Sequence, residues 1–168
     1  MKKIGIFYAS DTGNTEIVAE KLKQVLGEDN AVLYNVSDAD AEDIAGFNHV
    51  IFSSPTWGRG DLQDDFVEFI EELDKVNFSD KKVALFGLGD GVTYDDTFVD
   101  AMGQIYDKLI EKSCHVVGSV STEGYNYANS MAVREGKFIG LALDEDNQAE
   151  LTDERIEKWV NQLKNEFL

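Results

Sequence analysis

Six consecutive residues near the N-terminus could bind an anion through hydroxyl, amide and backbone N–H groups. They are Ser10, Asp11, Thr12, Gly13, Asn14 and Thr15. They follow the apolar run 4–8 and precede an amphipathic stretch, so the pattern predicts a strand, a loop and a helix. The start of that helix would offer free N–H groups and about half a positive charge to a phosphate. The loop contains no Lys or Arg, which argues against the triphosphate-binding loop that requires a lysine.

Two other interpretations of this loop remain open from its residues alone. Ser10, Asp11 and Thr12 are good helix caps, so the loop could be an ordinary helix start. The Asp-Thr-Gly triplet also occurs in aspartic proteases, which need a pair of carboxylates. The chain has one such triplet and it leads into a helix, which argues against the protease.

The composition limits the class of protein. The 168 residues, of which 43% are hydrophobic, predict one domain with a proper core. The net charge of -18 disfavours nucleic acids and anionic membranes as partners and favours basic proteins. Cys114 is the only cysteine, which suits a reducing compartment. No signal peptide or apolar run of about 18 residues is present, so we expect a cytoplasmic protein without a membrane span.

Apolar runs alternate with helical patterns along the chain. The runs are 4–8, 31–36, 50–53, 83–88, 116–120 and 138–143. This alternation predicts an α/β fold in which helices cover both faces of a mostly parallel sheet. Ligands of such sheets bind beyond the carboxyl ends of the strands, where the strand order reverses.

The spacing of apolar residues predicts the helices. Helices are expected after the first loop, over 62–73, over 98–110 and at the C-terminus, with a short or irregular helix between 36 and 47. The first helix should bury one side, formed by Ile17, Val18, Leu22, Val25 and Leu26. The last should begin with Thr152 as its N-cap, with Leu151 and Ile156 placed for a hydrophobic staple.

Two further loops carry one large aromatic residue each among small turn-forming residues. Trp57 lies in the loop 53–60 and Tyr94 in the loop 87–95, which flank the predicted reversal of strand order. Together they suggest a slot for a flat aromatic ligand, since stacking adds about 0.5–1.5 kcal/mol to area burial. With the anion loop, the ligand should be planar at one end and phosphorylated at the other. Flavin mononucleotide (FMN) fits this description. A purine nucleotide fits less well, because no acidic ribose partner follows the second strand.

The chain resembles the flavodoxins over its whole length. Three motifs carry the resemblance: the phosphate loop 10–15, the Pro-Thr-Trp-Gly loop 55–58 and the Gly-Asp-x-x-x-Tyr loop 89–94. The tail 140–156 is similar to the long-chain subgroup, in which an insertion, here residues 119–137, splits the fifth strand. The resemblance implies a three-layer flavodoxin-like sandwich over 1–168, with a five-stranded parallel sheet of order 2-1-3-4-5.

The resemblance also implies non-covalently bound FMN and assigns residues to it. Ser10, Thr12, Asn14 and Thr15 would bind the phosphate together with the loop amides, which Asp11 and Gly13 contribute. Trp57 and Tyr94 would enclose the isoalloxazine ring. The ring edge and ribityl chain would be contacted by Pro55, Thr56, Gly58, Gly89 and Asp90, with Asp146 near the ribityl chain.

The function implied is that of a low-potential one-electron carrier working between the semiquinone and hydroquinone of FMN. A flavodoxin reductase or oxidoreductase would be the electron donor and a low-potential enzyme the acceptor. Each partner would use a basic surface of its own to dock on the acidic carrier, which is expected to be a monomer. No catalytic side chain and no metal site is expected. His49 and His115 are interpreted as structural. The acidic clusters at 61–65 and 71–74, interpreted as the polar side of one helix, are either solvated or part of the docking surface.

Two alternatives share this architecture. An FMN-dependent NAD(P)H quinone or azo reductase would need nicotinamide and substrate pockets, for which the chain has no evident extra loops. A phosphoacceptor receiver would need an aspartate at the end of the third strand. The chain has Ser53, Ser54 and Pro55 there, which argues against a receiver.

Overall fold

The computed structural model describes residues 3–167 and contains ten strands and five α-helices in that part of the chain. The strands are β1 (Ile4–Tyr8), β2 (Ala31–Asn35), β3 (His49–Trp57), β4 (Asp61–Leu62), β5 (Lys82–Leu88), β6 (His115–Val117), β7 (Val120–Ser121), β8 (Val133–Arg134), β9 (Lys137–Phe138) and β10 (Leu141–Leu143). The helices are α1 (Asn14–Leu26), α2 (Ala41–Ala45), α3 (Asp64–Phe69), α4 (Asp100–Glu111) and α5 (Thr152–Glu166). Short 3-10 turns span Val36–Asp38, Ile70–Lys75 and Ala149–Leu151.

The central sheet is mostly parallel and runs β2-β1-β3-β5, with β6 and β10 both paired to β5. The short β4 is antiparallel and pairs with the end of β3. β6 pairs with the first half of β5 and β10 with the second half. Together β6 and β10 occupy one position at the edge of the sheet. If only the main parallel strands are counted, β5 is the fourth strand, and β6 and β10 form the fifth. The order of the main strands is therefore 2-1-3-4-5, with a split fifth strand. This confirms the predicted flavodoxin-like α/β fold.

The split results from a segment that leaves the sheet after β6 and returns at β10. Within it, β7, β9 and β8 form a small antiparallel sheet of their own, in that order. We call residues 119–137 the inserted segment, with the bounds predicted from the sequence.

The core consists of two apolar clusters, one on each face of the sheet. On one face Ile6, Leu22 and Trp159 join α1 and α5 to the strands. On the other face Phe52 and Phe98 belong to the cluster that includes α3 and α4. Since both faces are covered, the central strands are almost continuously apolar, as parallel strands between two helical layers must be.

Several helix predictions are wrong in detail. The stretch 62–73 is not one helix: Leu62 ends β4, α3 covers six residues, and a 3-10 turn follows. The acidic clusters therefore lie on three short elements rather than on one helix face. The helix expected over 98–110 begins only at Asp100, because Val99 has a positive φ of 49° and interrupts the helical backbone before it.

The predicted apolar face of α1 is also too wide. Ile17 is 51% exposed and Val25 is 36% exposed, while Thr15 and Ala19 share the buried side with Val18, Leu22 and Leu26. The sheet covers a narrower stripe than the apolar residues of the helix define.

Thr152 is not the N-cap of α5. Leu151 occupies that position and makes no side-chain cap, because a 3-10 turn leads directly into the helix with nearly helical backbone angles. Within residues 3–167, no helix is long and apolar enough to cross a membrane. Cys114 is a buried free thiol whose pKa burial raises to about 12.

Candidate functional site

A groove of about 280 Å³ lies at the carboxyl ends of β1, β3 and β5, where the sheet order reverses. It brings together most of the residues singled out in the sequence, from the carboxyl ends of four strands, β1, β3, β5 and β10, and the loops after them. These are Thr12, Asn14, Thr15, Pro55, Thr56, Trp57, Gly89, Asp90, Tyr94 and Asp146. Their juxtaposition requires the parallel sheet, because each loop follows a different strand.

Four predicted residues do not line the groove: Ser10, Asp11, Gly13 and Gly58. Sequence reasoning missed three others that do line it, namely Leu88, Thr97 and Glu145. Each of the three lies within three residues of a predicted position, so widening the motifs would have included them. Whether any of these residues contacts a cofactor stays a prediction.

The anion loop presents an uncapped helix end to the groove. α1 begins at Asn14, and its N-cap residue Gly13 has φ 92° and provides no side-chain cap. The Gly13 N–H donates to Ser10 Oγ at 3.1 Å, which closes the loop upon itself. The N–H groups of the first helical turn have no partner within the helix. They and the Thr12 hydroxyl are therefore suited to a phosphate.

A buried glutamine that sequence reasoning missed connects this loop to α3. Gln63 is 1% exposed. Its Nε2 donates to Asp11 Oδ1 at 2.8 Å, and its Oε1 accepts from the backbone N–H groups of Asp65 and Phe66. Its own N–H donates to Ser54 Oγ at 3.1 Å. Asp11 does not line the groove, but its hydrogen bond to Gln63 holds the loop in place beside α3.

Replacing Gln63 by methionine should destabilise the protein by about 1–3 kcal/mol, because the cap of α3 and the bond to Asp11 are both lost at nearly constant volume. Urea unfolding followed by circular dichroism measures this. Gln24→Met, at an exposed position of α1, is the matched control and should change stability by less than about 0.5 kcal/mol. Equal effects of the two variants would contradict the role of Gln63.

A second buried contact joins the end of β1 to the first turn of α1. Tyr8 is 6% exposed, and its hydroxyl donates to Glu16 Oε1 at 3.1 Å. Burial, followed by the hydrogen bond and charge of Glu16, raises the pKa of Tyr8 to about 12. The phenol therefore stays protonated in the folded protein at pH values where it ionises in the unfolded chain.

This difference predicts a loss of stability at alkaline pH. The contribution of Tyr8 is complete below its ordinary pKa of 10 and is lost as pH rises towards 12. At pH 8, Tyr8→Phe should be less stable than the wild type by about 1 kcal/mol, since a hydrogen bond is lost. At pH 11, ionisation of Tyr8 in the unfolded chain should have lowered the free energy of unfolding of the wild type by about 1 kcal/mol. The difference in stability between the wild type and Tyr8→Phe should therefore disappear. Urea unfolding at both pH values tests this, and a gap of constant size would contradict it.

The sequence predicts Trp57 in the loop 53–60, but residues 53–57 belong to β3 and only residues 58–60 form a turn before β4. We keep the name tryptophan loop for residues 53–60, and this segment is anchored to α4. The Ala101 N–H donates to Thr56 Oγ1 at 3.1 Å, and the Gln104 side chain donates to the Gly60 carbonyl. Trp57 itself remains 36% exposed at the groove. The backbone of the loop is thus fixed, while its aromatic side chain is left free for a ligand.

Asp90 shapes the loop that carries Tyr94. Its Oδ1 accepts from the N–H groups of Val92 and Thr93 and from Asn147 Nδ2, at 2.8–3.1 Å. Burial alone would raise the pKa of Asp90, but these hydrogen bonds outweigh it and lower the pKa. Asp90 is therefore a charged cap of the loop as well as a groove residue. Tyr94 projects from this loop and is 45% exposed.

The groove carries negative charge and, among the described residues, no Lys or Arg lines it. Asp90, Glu145 and Asp146 supply three carboxyl groups. Burial, and then the charges of Asp90, Asp144 and Glu145, raise the pKa of Asp146. In the described part of the chain, no group of three His, Cys, Asp or Glu residues could hold a metal ion. An anionic ligand would have to be held by dipoles and hydrogen bonds at the α1 end.

The fold and the groove define a doubly wound α/β protein whose site suits a ligand with a phosphate at one end and a flat ring at the other. The family model described as Flavodoxin matches residues 6–159. The chain belongs to the flavodoxin family.

Individual relatives and solved structures agree with this. The flavodoxin of Trichodesmium erythraeum is 52% identical over 99% of both chains. Flavodoxin 1 of Azotobacter vinelandii is 46% identical over 100% of this chain and 99% of its own. The crystal structure of Fusobacterium nucleatum flavodoxin bound to flavin mononucleotide superposes with a TM-score of 0.95, at 36% identity, and covers both chains completely.

Proposed function

We propose that this protein carries single electrons between redox proteins by means of non-covalently bound FMN. One observation carries the proposal: the groove joins an uncapped helix N-terminus to two exposed aromatic side chains, on a chain that belongs to the flavodoxins. The Fusobacterium nucleatum flavodoxin that it matches over its full length is bound to this cofactor. Bound FMN supplies the one-electron chemistry, and the protein supplies binding and electrostatics.

The donor set at the α1 end fits a phosphate. Thr12, Asn14 and Thr15 offer side-chain donors beside the first-turn N–H groups. Ser10 and Asp11 hold the loop, through Gly13 and Gln63 respectively. No cation is required, because the helix end and the converging donors compensate the charge of the phosphate.

The other end of the groove fits a planar ring. Trp57 and Tyr94 would lie against the isoalloxazine, and Pro55, Thr56 and Gly89 would contact its edge or the ribityl chain. Gly58 follows Trp57 without itself lining the groove; it has φ 49°, and the nearest atom to a Cβ placed on it is Asp61 Oδ2 at 3.8 Å. A ring can therefore approach this backbone closely.

The charge of the groove favours a low reduction potential. A carboxylate about 10 Å from an added electron raises the energy of that electron by roughly 0.4–1.7 kcal/mol, at effective dielectric constants of 80 to 20. Asp90, Glu145 and Asp146 line the groove, and the whole chain carries a net charge of -18. These charges disfavour every electron added, which suits delivery to a low-potential acceptor.

The partners proposed are redox proteins with basic docking surfaces: a flavodoxin reductase or oxidoreductase as donor and a low-potential enzyme as acceptor. Exposed carboxylates on β4, α3 and the following turn, such as Asp61, Asp64 and Glu71, would attract them. The exposed Val92 lies in the same loop as Tyr94 and adds apolar surface. We further propose that the chain acts as a monomeric, cytoplasmic, single FMN-binding domain, in keeping with its lone thiol and one central sheet.

An anaerobic reductive titration of the FMN-loaded protein tests the electron-carrier function. Two separate one-electron steps in the visible spectrum would support it. Reduction in a single two-electron step, with oxidation of NADPH by the protein alone, would instead support the reductase. A protein that binds no FMN on reconstitution would overturn the cofactor assignment.

A further inference from the structure

The second half of the loop that carries Tyr94 is hydrogen-bonded to the inserted segment. We call residues 90–99 the tyrosine loop. The N–H groups of Ala128 and Asn129 both donate to the Asp95 carbonyl, at 2.8 and 2.9 Å, and the Phe98 N–H donates to the Asn129 carbonyl at 3.3 Å. The two segments therefore share backbone hydrogen bonds in both directions.

Side chains strengthen the same contact. Ser130 Oγ donates to the Phe98 carbonyl and accepts from the Ala132 N–H at 3.1 Å. The Phe98 ring is 1% exposed and stacks on Tyr127, with 5.5 Å between ring centroids and 24° between planes. Residue 98, at the end of the tyrosine loop, is thus held by the inserted segment at its N–H, its carbonyl and its ring.

The start of the tyrosine loop touches the inserted segment as well. Gly91 is buried, and a Cβ placed on it would overlap the Asn126 carbonyl oxygen. The Gly91 N–H is already used, since it donates to Asp144 Oδ2 at 3.0 Å. Gly91 has no positive φ. The close approach of Asn126 is therefore the reason that this position needs glycine.

We infer that the inserted segment positions the tyrosine loop, so that Tyr94 is in place before the isoalloxazine ring arrives. This rests on the proposed function. Tyr94 is 45% exposed, so its own packing does little to order the loop. Fixing each backbone residue costs conformational entropy. Contacts with the inserted segment order part of the tyrosine loop when the chain folds. FMN then has less of the loop to order on binding, so it binds more tightly.

Ser130→Ala is the first test, because it removes the hydroxyl that donates to the Phe98 carbonyl in the tyrosine loop, without changing the core. Loss of this bond should weaken FMN binding roughly 3- to 10-fold. Ser121→Ala is the matched control. Ser121 lies in the same inserted segment, and its Oγ accepts from the Glu123 N–H at 3.2 Å, within that segment. The control should bind FMN like the wild type.

Gly91→Ala is the second test and acts from the other end of the loop. The added methyl group must push Asn126 and the tyrosine loop apart, and we expect at least a 10-fold loss of FMN affinity. Gly46→Ala is its control, since the nearest atom to a Cβ there is the Asp43 carbonyl oxygen at 3.6 Å and its backbone is helical.

Three measurements distinguish positioning from general destabilisation. Fluorescence titration gives the Kd for FMN, and visible circular dichroism reports the stacking around the ring. Hydrogen–deuterium exchange on the apoprotein reports the order of residues 91–99. We expect Ser130→Ala to weaken binding, change the dichroism and speed exchange in 91–99 about 3- to 10-fold, with other regions unchanged.

Equal affinity, dichroism and exchange in Ser130→Ala and Ser121→Ala would overturn the positioning role. So would faster exchange throughout the chain, because it would mean that the variant is destabilised as a whole. Failure of the wild type to bind FMN would overturn the proposed function instead. In that event the exchange data still decide whether the inserted segment orders the tyrosine loop.

Discussion

Replacement of Trp159 by alanine is expected to lower the free energy of unfolding of the apoprotein by about 3–5 kcal/mol. Trp159 is 1% exposed and belongs to the cluster between α1, α5 and the sheet. Its Nε1 donates to the Gly118 carbonyl at 2.9 Å, at the point where the chain leaves β6. The substitution therefore creates a large cavity and leaves a buried carbonyl without its donor.

Urea unfolding followed by far-ultraviolet circular dichroism measures this loss. Trp159→Phe keeps most of the buried ring and removes the donor, so it should cost less, about 1–3 kcal/mol. Trp57→Ala serves as the second control, because the other tryptophan of the chain is exposed and should change the stability of the apoprotein by under about 0.5 kcal/mol. A loss below about 1 kcal/mol in Trp159→Ala would contradict the assigned packing.

The same Trp57→Ala substitution is expected to weaken FMN binding by about 2 kcal/mol, or roughly 30-fold in Kd. Trp57 lines the groove and is 36% exposed. Stacking contributes about 0.5–1.5 kcal/mol beyond area burial, and burial of the indole face adds about 25 cal/mol per Å². The loss therefore falls on the complex rather than on the fold.

Fluorescence titration of the apoprotein with FMN measures the change. Trp57→Phe retains an aromatic face and should recover most of the affinity. Trp159→Phe is the reciprocal control: provided that it is folded, it should bind FMN like the wild type because Trp159 lies outside the groove. An unchanged Kd in Trp57→Ala would show that this side chain does not contact the ring.

Much of the architecture could be predicted from the sequence. The runs 4–8 and 83–88 match β1 and the apolar part of β5 closely, because parallel strands buried on both faces must be continuously apolar. The split of the fifth strand followed from the similarity to the long-chain flavodoxins rather than from periodicity. The short strands β7, β8 and β9, of two residues each, are too brief to leave a pattern.

The errors have a common physical origin. Ile17 and Val25 are apolar yet exposed on α1, since the width of the buried stripe is set by the sheet beneath and not by the helix. Thr152 has the chemistry of an N-cap, but the preceding 3-10 turn continues into α5. In each case the packing of neighbouring elements overrides a local preference of the residue.

Local residue chemistry by itself determined which loops carry the site. The hydroxyl-rich run 10–15, the tryptophan loop and the tyrosine loop were recognised because small and polar residues interrupt apolar strands. Only the tertiary structure decided how these loops are held. Gln63 ties Asp11 to α3, and the inserted segment holds the tyrosine loop through Asn129 and Ser130. Such bonds join residues more than 25 positions apart, so neither the hydrophobic periodicity nor the spacing within a motif predicts them. They form only when the sheet has brought the loops together.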